Sequence, residues 1–368
     1  MNIVSAFSSK KSVELVVQDL QEQFRSVDAK LVIYYASSLH APEAISQKMQ
    51  EAFPTAAVFG CSTAGEIASG KMLKNSVTAM AFNGEAISEV EVAVVENVQG
   101  EGGVEQAFGA FEKRFGVPML DLNPRRYVGI VLVDGLSGAE EKLIDKIGDL
   151  TDVTFIGGSA GDDLKFTATH VYANGKSYSN AAVLALLKPA TEFSFIKTQS
   201  FNALCKNLVV TKACEASRQV LEFNNRPAVA AYAEALGVPV EEAAGKFMHN
   251  PVGLVIDGEP YVRSPQQVKG DSMLFYCGVV EGMELSVLES TDIIDDTRKA
   301  LAEAKAKLGS ISGLINFNCI LRTLELEQKQ ATEAYGELFA DFPTIGFSTY
   351  GEQYIGHINQ TATMLVFK

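Results

Sequence analysis

The segment Val58-Phe59-Gly60-Cys61-Ser62-Thr63-Ala64-Gly65-Glu66 occurs three times in related form along this chain. The second copy is Phe155-Ile156-Gly157-Gly158-Ser159-Ala160-Gly161-Asp162-Asp163, and the third is Thr344-Ile345-Gly346-Phe347-Ser348-Thr349-Tyr350-Gly351-Glu352. The first and third copies share G-x-S-T-x-G-E at the same spacing, whereas the second keeps only G-x-S before its acidic pair. Self-similarity of this kind indicates one structural unit that is used three times.

The surroundings of the three segments repeat as well. An apolar run follows each segment, another precedes it, and a stretch with apolar residues at helical spacing lies further upstream. We predict return strands at Val77–Phe82, Ala181–Leu187 and Thr361–Phe367, upstream strands at Lys30–Tyr35, Tyr127–Val133 and Gly313–Phe317, and helices at Ser12–Phe24, Gly103–Phe115 and Asp296–Leu308. Each return strand is expected to lie beside its own G-x-S strand and to be buried, because continuous apolar runs are typical of strands covered on both faces.

The stretch between the second and third copies has a different character. Residues 217–290 contain a predicted helix at Pro227–Leu236, several short strands and the hairpin turn signal Asp257-Gly258. Strands that alternate with helices indicate an α/β fold. We therefore predict two domains, residues 1–215 and 216–368, built from repeated helix–strand–helix–strand units with a β-rich insertion in the second half.

The charge and cysteine content exclude several classes of protein. The chain of 368 residues has 31 basic and 45 acidic side chains, a formal net charge of −14, and it lacks a basic stripe. Such a chain repels phosphate groups, so a nucleic-acid partner and an anionic membrane surface are both disfavoured. No apolar run approaches the roughly 18 residues of a membrane helix, and no secretory signal is visible. Five scattered cysteines without a C-x-x-C pair indicate free thiols and a cytoplasmic protein.

The G-x-S segments have two interpretations. In the first, glycine and serine form a bend where a strand leaves its sheet, and the bends line a ligand cleft. The cleft residues are then Gly60, Ser62, Gly346 and Ser348, and the glutamates Glu66 and Glu352 are exposed turn residues.

The alternative interpretation is a serine hydrolase. Residues 157–161 match G-x-S-x-G, in which a strand and a sharp turn expose the nucleophile, here Ser159, at the start of a helix. The residues that follow Ser159 do not have a helical pattern, and the other two copies break the motif. No phosphate-binding or metal-protease motif is present in the sequence.

Several segments together resemble the FIST family. Residues 58–66 are similar to the signature of its N-terminal domain, and Phe223-Asn224-Asn225-Arg226-Pro227-Ala228 is similar to the start of its C-terminal domain. Residues 281–285, 316–319 and 346–352 resemble later segments of that domain, and His357-Ile358-Asn359-Gln360-Thr361 resembles its closing motif. The segments occur in the expected order over almost the whole chain.

The resemblance implies a sensory protein of bacterial signal transduction and not an enzyme. Members that consist of these two domains alone, as in this sequence, include the NosP-type proteins, which bind haem b, sense nitric oxide and regulate a histidine kinase or a cyclic-di-GMP enzyme. Other members are proposed to bind amino acids or related small molecules, so an amino-acid-like ligand without haem is the alternative.

Four histidines are available to hold haem iron: His40, His170, His249 and His357. Imidazole is the usual ligand in a gas-sensing haem protein. We prefer His357, because Gly356 relieves crowding beside the ring and the polar side chains of Asn359 and Thr361 alternate on its face of a strand. His249 is the second choice, while His40 is expected at the surface where a helix begins and His170 in a strand. Cys61 and Cys319 are the remaining candidates.

Overall fold

Three sheets with the same strand order organise the chain in the structure, a computed structural model that describes residues 2–368. Each repeat supplies a first strand, a helix, an upstream strand, a second helical segment, the G-x-S strand and a return strand. Two short strands between the G-x-S strand and the return strand form an extension. The α/β fold that the sequence predicts is therefore confirmed.

The first repeat comprises β1 (Ile3–Ser8), α1 (Val13–Phe24), β2 (Leu31–Ser37), α2 (Pro42–Ala52), β3 (Ala57–Thr63), β4 (Glu66–Ala68), β5 (Lys71–Leu73) and β6 (Val77–Phe82). The second comprises β7 (Ile87–Glu96), α3 (Gly103–Phe115), β8 (Val128–Val133), α4 (Glu140–Leu150), β9 (Phe155–Ser159), β10 (Val171–Ala173), β11 (Lys176–Tyr178) and β12 (Ala181–Pro189). A 3₁₀ turn at Met119–Asp121 precedes β8.

The third repeat begins with β13 (Phe193–Gln199) and resumes after a long insertion. The insertion comprises β14 (Phe201–Cys214), β15 (Gln219–Phe223), β16 (Arg226–Pro227), α5 (Ala228–Leu236), β17 (Val252–Ile256), β18 (Glu259–Arg263), β19 (Pro265–Lys269), β20 (Ser272–Phe275) and β21 (Glu284–Ser290). The repeat then continues with α6 (Ile293–Leu308), β22 (Gly313–Cys319), α7 (Ile320–Gln328), α8 (Thr332–Glu337), β23 (Thr344–Thr349), β24 (Glu352–Tyr354), β25 (His357–Ile358) and β26 (Thr361–Phe367).

The repeats exchange their short extensions in a cycle. The three sheets contain the strands in the order β1-β6-β2-β3-β10-β11, β7-β12-β8-β9-β24-β25 and β13-β26-β22-β23-β4-β5. The hairpin of the first repeat thus completes the sheet of the third, that of the second completes the first, and β24 of the third completes the second. Each exchange covers the free edge of a G-x-S strand, an edge that would otherwise offer unpaired backbone groups.

This exchange corrects one expectation about the return strands. They are buried over the predicted residues, as expected. They do not lie beside their own G-x-S strands: β6 pairs with β2, β12 with β8 and β26 with β22. The outer edge of each G-x-S strand is occupied by the extension of another repeat, so the return strand pairs with the far side of the upstream strand.

The chain forms two compact units. The first contains Met1–Lys197, Thr297–His357 and Ala362–Lys368, and the second contains Thr198–Asp296 and Ile358–Thr361. The third repeat shares sheets with the first two, so these units are not continuous in sequence; the predicted domains 1–215 and 216–368 stay a prediction. Within the first unit, one apolar cluster joins side chains from all three sheets, among them Ile33, Ile130 and Ile315.

The second unit is the predicted β-rich insertion. Its strands follow the order β18-β17-β21-β14-β15-β20-β19, and α5 packs on them through Tyr232 and other buried side chains. The predicted hairpin turn joins β17 to β18 with positive φ at Asp257 (51°) and Gly258 (82°). Two helices, α7 and α8, lie between β22 and β23, and Gln330 between them has a φ of 54°.

Candidate functional site

The G-x-S glycines lie where two parallel strands approach closely. An ideal Cβ on Gly60 would lie 1.8 Å from the carbonyl oxygen of Tyr34, its register partner in β2. The same contact recurs at Gly157, 1.7 Å from the oxygen of Val131, and at Gly346, 2.2 Å from the oxygen of Asn316. Glycine is required here for close packing of the backbone. Gly60 and Gly346 are buried, and their role as cleft residues stays a prediction.

The G-x-S serines lie at strand ends rather than in bends, and each contacts the segment that a different repeat contributes. Ser62 Oγ donates to the carbonyl oxygen of Gly161 (2.7 Å) and accepts from the amide of His170 (2.9 Å). Ser159 bonds the backbone of Gly351 through its amide (2.8 Å). The serines therefore fasten one repeat to the next, and Ser62 has no hydroxyl hydrogen left for a ligand.

Ser348 differs from the other two serines because it lines a cavity. The cavity has a volume of about 280 Å³ and lies between the β4–β5 hairpin, α7 and the start of α8. This volume is slightly below the roughly 300–1,000 Å³ of drug-sized ligand pockets, so it suits a smaller metabolite. The lining residues are Gly65, Met72, Leu73, Lys74, Thr323, Glu327, Thr332 and Ser348. Of the four predicted cleft residues, only Ser348 belongs to this lining.

Two buried hydroxyl groups meet in this cavity. The hydroxyls of Ser348 and Thr323 are 2.8 Å apart, and Thr323 Oγ1 also accepts from the side-chain amide of Asn318 at 3.0 Å. One hydroxyl hydrogen is used between the pair, and the amide supplies its own hydrogen. Two hydroxyls carry two hydrogens. One hydroxyl hydrogen therefore remains for an acceptor in the cavity, such as a carboxylate oxygen.

The hydroxyl pair rests on a buried polar network. Asn318 Oδ1 accepts from Arg322 Nε (3.0 Å) and from the hydroxyl of Tyr335 (3.0 Å). Arg322, only 2 % exposed, also donates through Nη2 to Thr297 Oγ1 at 3.0 Å. Connected networks of this kind hold their members in one geometry. The network thus fixes the rotamer of Thr323 beneath the cavity.

Opposite charges meet at the rim of the cavity. Lys74 Nζ lies 2.7 Å from Glu327 Oε1, and their side chains are 62 % and 30 % exposed. Exposed ion pairs of this kind contribute only about 0–1 kcal/mol to stability. A ligand with both an anionic and a cationic group could therefore separate the pair at small cost and bind both partners.

A buried carboxylate supports the cavity wall. Glu66 is 1 % exposed, which corrects the expectation of an exposed turn residue; Glu352, its counterpart in the third repeat, is fully buried. Glu66 accepts from the hydroxyl of Thr63 and from both the amide (3.0 Å) and the hydroxyl (2.6 Å) of Ser76. Burial raises the pKa of Glu66 to about 7, although these hydrogen bonds favour its ionised form.

The preferred haem ligand, His357, is enclosed and already oriented by its neighbours. It is 7 % exposed, its ring packs on Gly351, and its Nδ1 lies 3.0 Å from the side-chain amide nitrogen of Gln353. An amide nitrogen can only donate, so Nδ1 accepts and the neutral ring carries its proton on Nε2. Iron requires a ring nitrogen without a proton. The arrangement does not fit an axial haem ligand.

The other predicted cofactor residues lie in the second unit. His249 is partly buried, and its backbone amide donates to the carbonyl oxygen of Lys246 at 3.1 Å. Asn359 and Thr361 are buried at 1 % and 2 % exposure, and the residue between them, Gln360, accepts from Ser264 Oγ at 2.7 Å. The structure therefore assigns His357 to one unit and its predicted companions to the other. Their role in cofactor binding stays a prediction.

The remaining candidates for a haem ligand, His40, Cys61 and Cys319, are buried side chains. His40 was expected at the surface but is 3 % exposed, and burial lowers its pKa. Cys61 and Cys319 are buried thiols. Among residues 2–368, no group of three or more His, Cys, Asp or Glu side chains could hold a metal ion. Nor is any described helix both long and apolar enough to cross a membrane.

Ser159 does not occupy a nucleophile elbow. It is fully buried, and residues 160–170 form a loop instead of the helix that the elbow requires. Its hydroxyl lies 3.3 Å from Glu140 and 3.2 Å from Gln353. The surroundings do not favour the hydrolase interpretation.

Comparisons with known proteins cover most of the chain. The FIST N domain matches residues 30–226, and the FIST C domain matches residues 228–355. An uncharacterized protein of Methanocaldococcus jannaschii is 24 % identical over 298 residues, which is 75 % of this chain. The matched region is 57 % of the length of that relative, so the chain spans little more than half of it.

Proposed function

Because this chain belongs to the FIST family, whose domains are ligand-binding sensors in signal transduction, we propose that it senses a small zwitterionic metabolite of the amino-acid class. The ligand binds in the cavity beside Ser348. The observation that carries the proposal is the Lys74–Glu327 pair at the rim, above a hydroxyl pair with one uncommitted hydrogen. These groups complement both ends of an amino acid.

Each part of the ligand has a partner in this arrangement. The carboxylate binds Lys74 and accepts the hydroxyl hydrogen of Ser348 or Thr323, which makes charge-assisted hydrogen bonds. The ammonium group binds the carboxylate of Glu327. The ligand side chain contacts the apolar groups of Met72 and Leu73, which belong to β5 and line the cavity.

The proposed output of binding is control of a partner enzyme. We propose a histidine kinase or a cyclic-di-GMP enzyme as that partner, with no chemical reaction catalysed by this chain. The buried network from Ser348 to Arg322 supports a sensory role, because a ligand that takes the uncommitted hydroxyl hydrogen changes the hydrogen bonding of Thr323. The free cysteines support a reducing, cytoplasmic setting.

Haem-based nitric oxide sensing is the second proposal. The resemblance to NosP-type proteins carries it, with haem b bound through His357. The hydrogen bond from Gln353 to Nδ1 argues against it. An absorption spectrum of the chain produced with a supply of haem separates the two proposals, because a haem protein shows a Soret band and an amino-acid sensor does not.

The amino-acid proposal is tested by thermal unfolding in the presence of each of the twenty amino acids. A ligand that binds only the folded chain raises the melting temperature by mass action. We expect at least one amino acid to stabilise the wild-type chain and to lose this effect in Lys74→Met and Glu327→Gln. The matched control is Lys48→Met, which removes a lysine that pairs with Glu51 in α2. No stabilisation by any amino acid, or equal stabilisation of all variants, would refute the proposal.

A further inference from the structure

The carboxylate of Glu66 closes the segment that forms one wall of the cavity. Thr63 precedes the β4–β5 hairpin and Ser76 follows it, and the side chain of Glu66 accepts hydrogen bonds from both. The enclosed segment includes Gly65, Met72, Leu73 and Lys74, which all line the cavity. A change in the hydrogen bonding of Glu66 is therefore placed to act on the whole wall.

The surroundings of Glu66 contain hydrogen-bond donors but no positive charge that would compensate a buried carboxylate. Its partners are two hydroxyl groups and one amide, and within residues 2–368 it forms no ion pair. Asp163, in the loop after β9, acts on it with a negative charge. Lys74 at the end of the hairpin is engaged by Glu327 of α7. An ionised carboxylate without a counter-ion is costly to bury.

We propose that the β4–β5 hairpin is a proton-sensitive wall, which is closed while Glu66 is protonated and loosens when Glu66 is ionised. In the neutral form, one carboxyl oxygen donates its hydrogen to Thr63 Oγ1 and the other still accepts from Ser76. Thr63 and Ser76 then stay in contact with Glu66 without a buried charge, although the hydrogen bond with Thr63 has the opposite direction. Ionisation leaves the charge enclosed, and opening of the hairpin hydrates it.

The direction of the effect follows from proton linkage. The closed wall holds the proton of Glu66 with a pKa of about 7, whereas the ordinary value in water is 4.5. The closed state therefore binds the proton more tightly than the open state, and a rise in pH between these values favours opening. A ligand of the cavity would enter and leave more readily at higher pH. This consequence rests on the proposed function, but the motion of the hairpin does not.

Amide hydrogen exchange of the full chain tests the wall without a ligand. Protection factors of the amides of Met72 and Leu73, corrected for the intrinsic effect of pH, are compared at pH 5.5 and pH 8. We expect wild-type protection to fall at least about tenfold over this interval, since linkage allows up to about tenfold per pH unit. In Glu66→Gln the fall disappears, because the amide keeps the hydrogen bonds and does not titrate. In the control Glu352→Gln, which changes the equivalent glutamate of the third repeat, the fall persists.

Two results would overturn the proposal. One is equal protection of the wild-type hairpin at both pH values, and the other is an undiminished fall in Glu66→Gln. If that variant does not fold, the carboxyl ¹³C resonance of Glu66 in the wild-type chain is titrated instead, and a midpoint near 4.5 refutes the proposal. A hairpin that responds to pH in a chain that binds no amino acid would refute the proposed function alone.

Discussion

Replacing Glu66 by glutamine is expected to remove a pH-dependent loss of stability. The folded state raises the pKa of Glu66 from 4.5 to about 7, and desolvation by burial is the largest cause. A group whose pKa is raised by folding binds its proton more tightly in the folded state. The stability that it contributes is present below pH 4.5 and is lost as the pH rises towards 7.

The size of the effect follows from the shift of the pKa. One unit corresponds to about 1.4 kcal/mol, so the full difference between the folded and unfolded values is about 3 kcal/mol. Between pH 5 and pH 8 the difference in free energy of unfolding between Glu66→Gln and wild type should grow by about 2–3 kcal/mol in favour of the variant. The sign is unusual for a carboxylate, since most paired carboxylates stabilise at high pH.

Urea unfolding at pH 5, 6, 7 and 8 measures this difference directly. The comparison with the variant cancels the titration of all other groups. Glu14→Gln changes an exposed glutamate in α1 and provides the matched control, whose difference from wild type should not grow over this interval. A difference for Glu66→Gln that stays constant with pH, or grows in favour of wild type, would refute the burial argument.

Three further predictions concern the repeats and the alternative cofactor. Gly60→Ala should lower the free energy of unfolding by about 1–3 kcal/mol or more, since the new methyl group overlaps a backbone oxygen. The control Gly84→Ala should be nearly neutral, because no atom lies within 4 Å of the new methyl group. Similar urea midpoints for the two variants would contradict the close approach of the strands at Gly60. Ser62→Ala should cost about 1–3 kcal/mol in the same assay, because the partly buried amide of His170 and the buried carbonyl of Gly161 lose their partner. An unchanged midpoint would count against the role of Ser62 in joining the first two repeats. His357→Ala should leave the absorption spectrum of haem-supplied protein unchanged; a Soret band that this change shifts while His249→Ala leaves it would favour the haem proposal.

The repeat architecture could be read from the sequence because its signals are local. Two of the predicted return strands, Val77–Phe82 and Thr361–Phe367, match the observed strands to the residue, since continuous apolar runs end where turns begin. The exchange of the hairpins could not be predicted. The strands Glu66–Ala68 and Lys71–Leu73 have three residues each, too few to show a period. The first of them pairs through Ala68 with Ile345, which is remote in sequence.

The candidate site could be predicted only in part. The G-x-S pattern identified Ser348, but the serines of the same pattern at positions 62 and 159 form hydrogen bonds that join one repeat to the next. Lys74, Thr323 and Glu327 carry no motif, and they meet only because the hairpin crosses to the sheet of another repeat. The sequence Gly65-Glu66 is typical of an exposed turn, and nothing local indicates that Ser76 encloses the carboxylate.

Chemical-shift mapping on the ¹⁵N-labelled chain tests the location of the ligand most directly. The amino acid that stabilises the chain most in thermal unfolding is titrated into wild-type protein. Binding beside Ser348 predicts that the largest amide shifts cluster at residues 65, 72–74, 323, 327 and 348. It also predicts that Lys74→Met raises the amino-acid concentration at which the shifts are half-saturated. Saturable shifts that cluster elsewhere, for example around His357, with these amides unchanged, would contradict the assignment of this cavity as the sensory site.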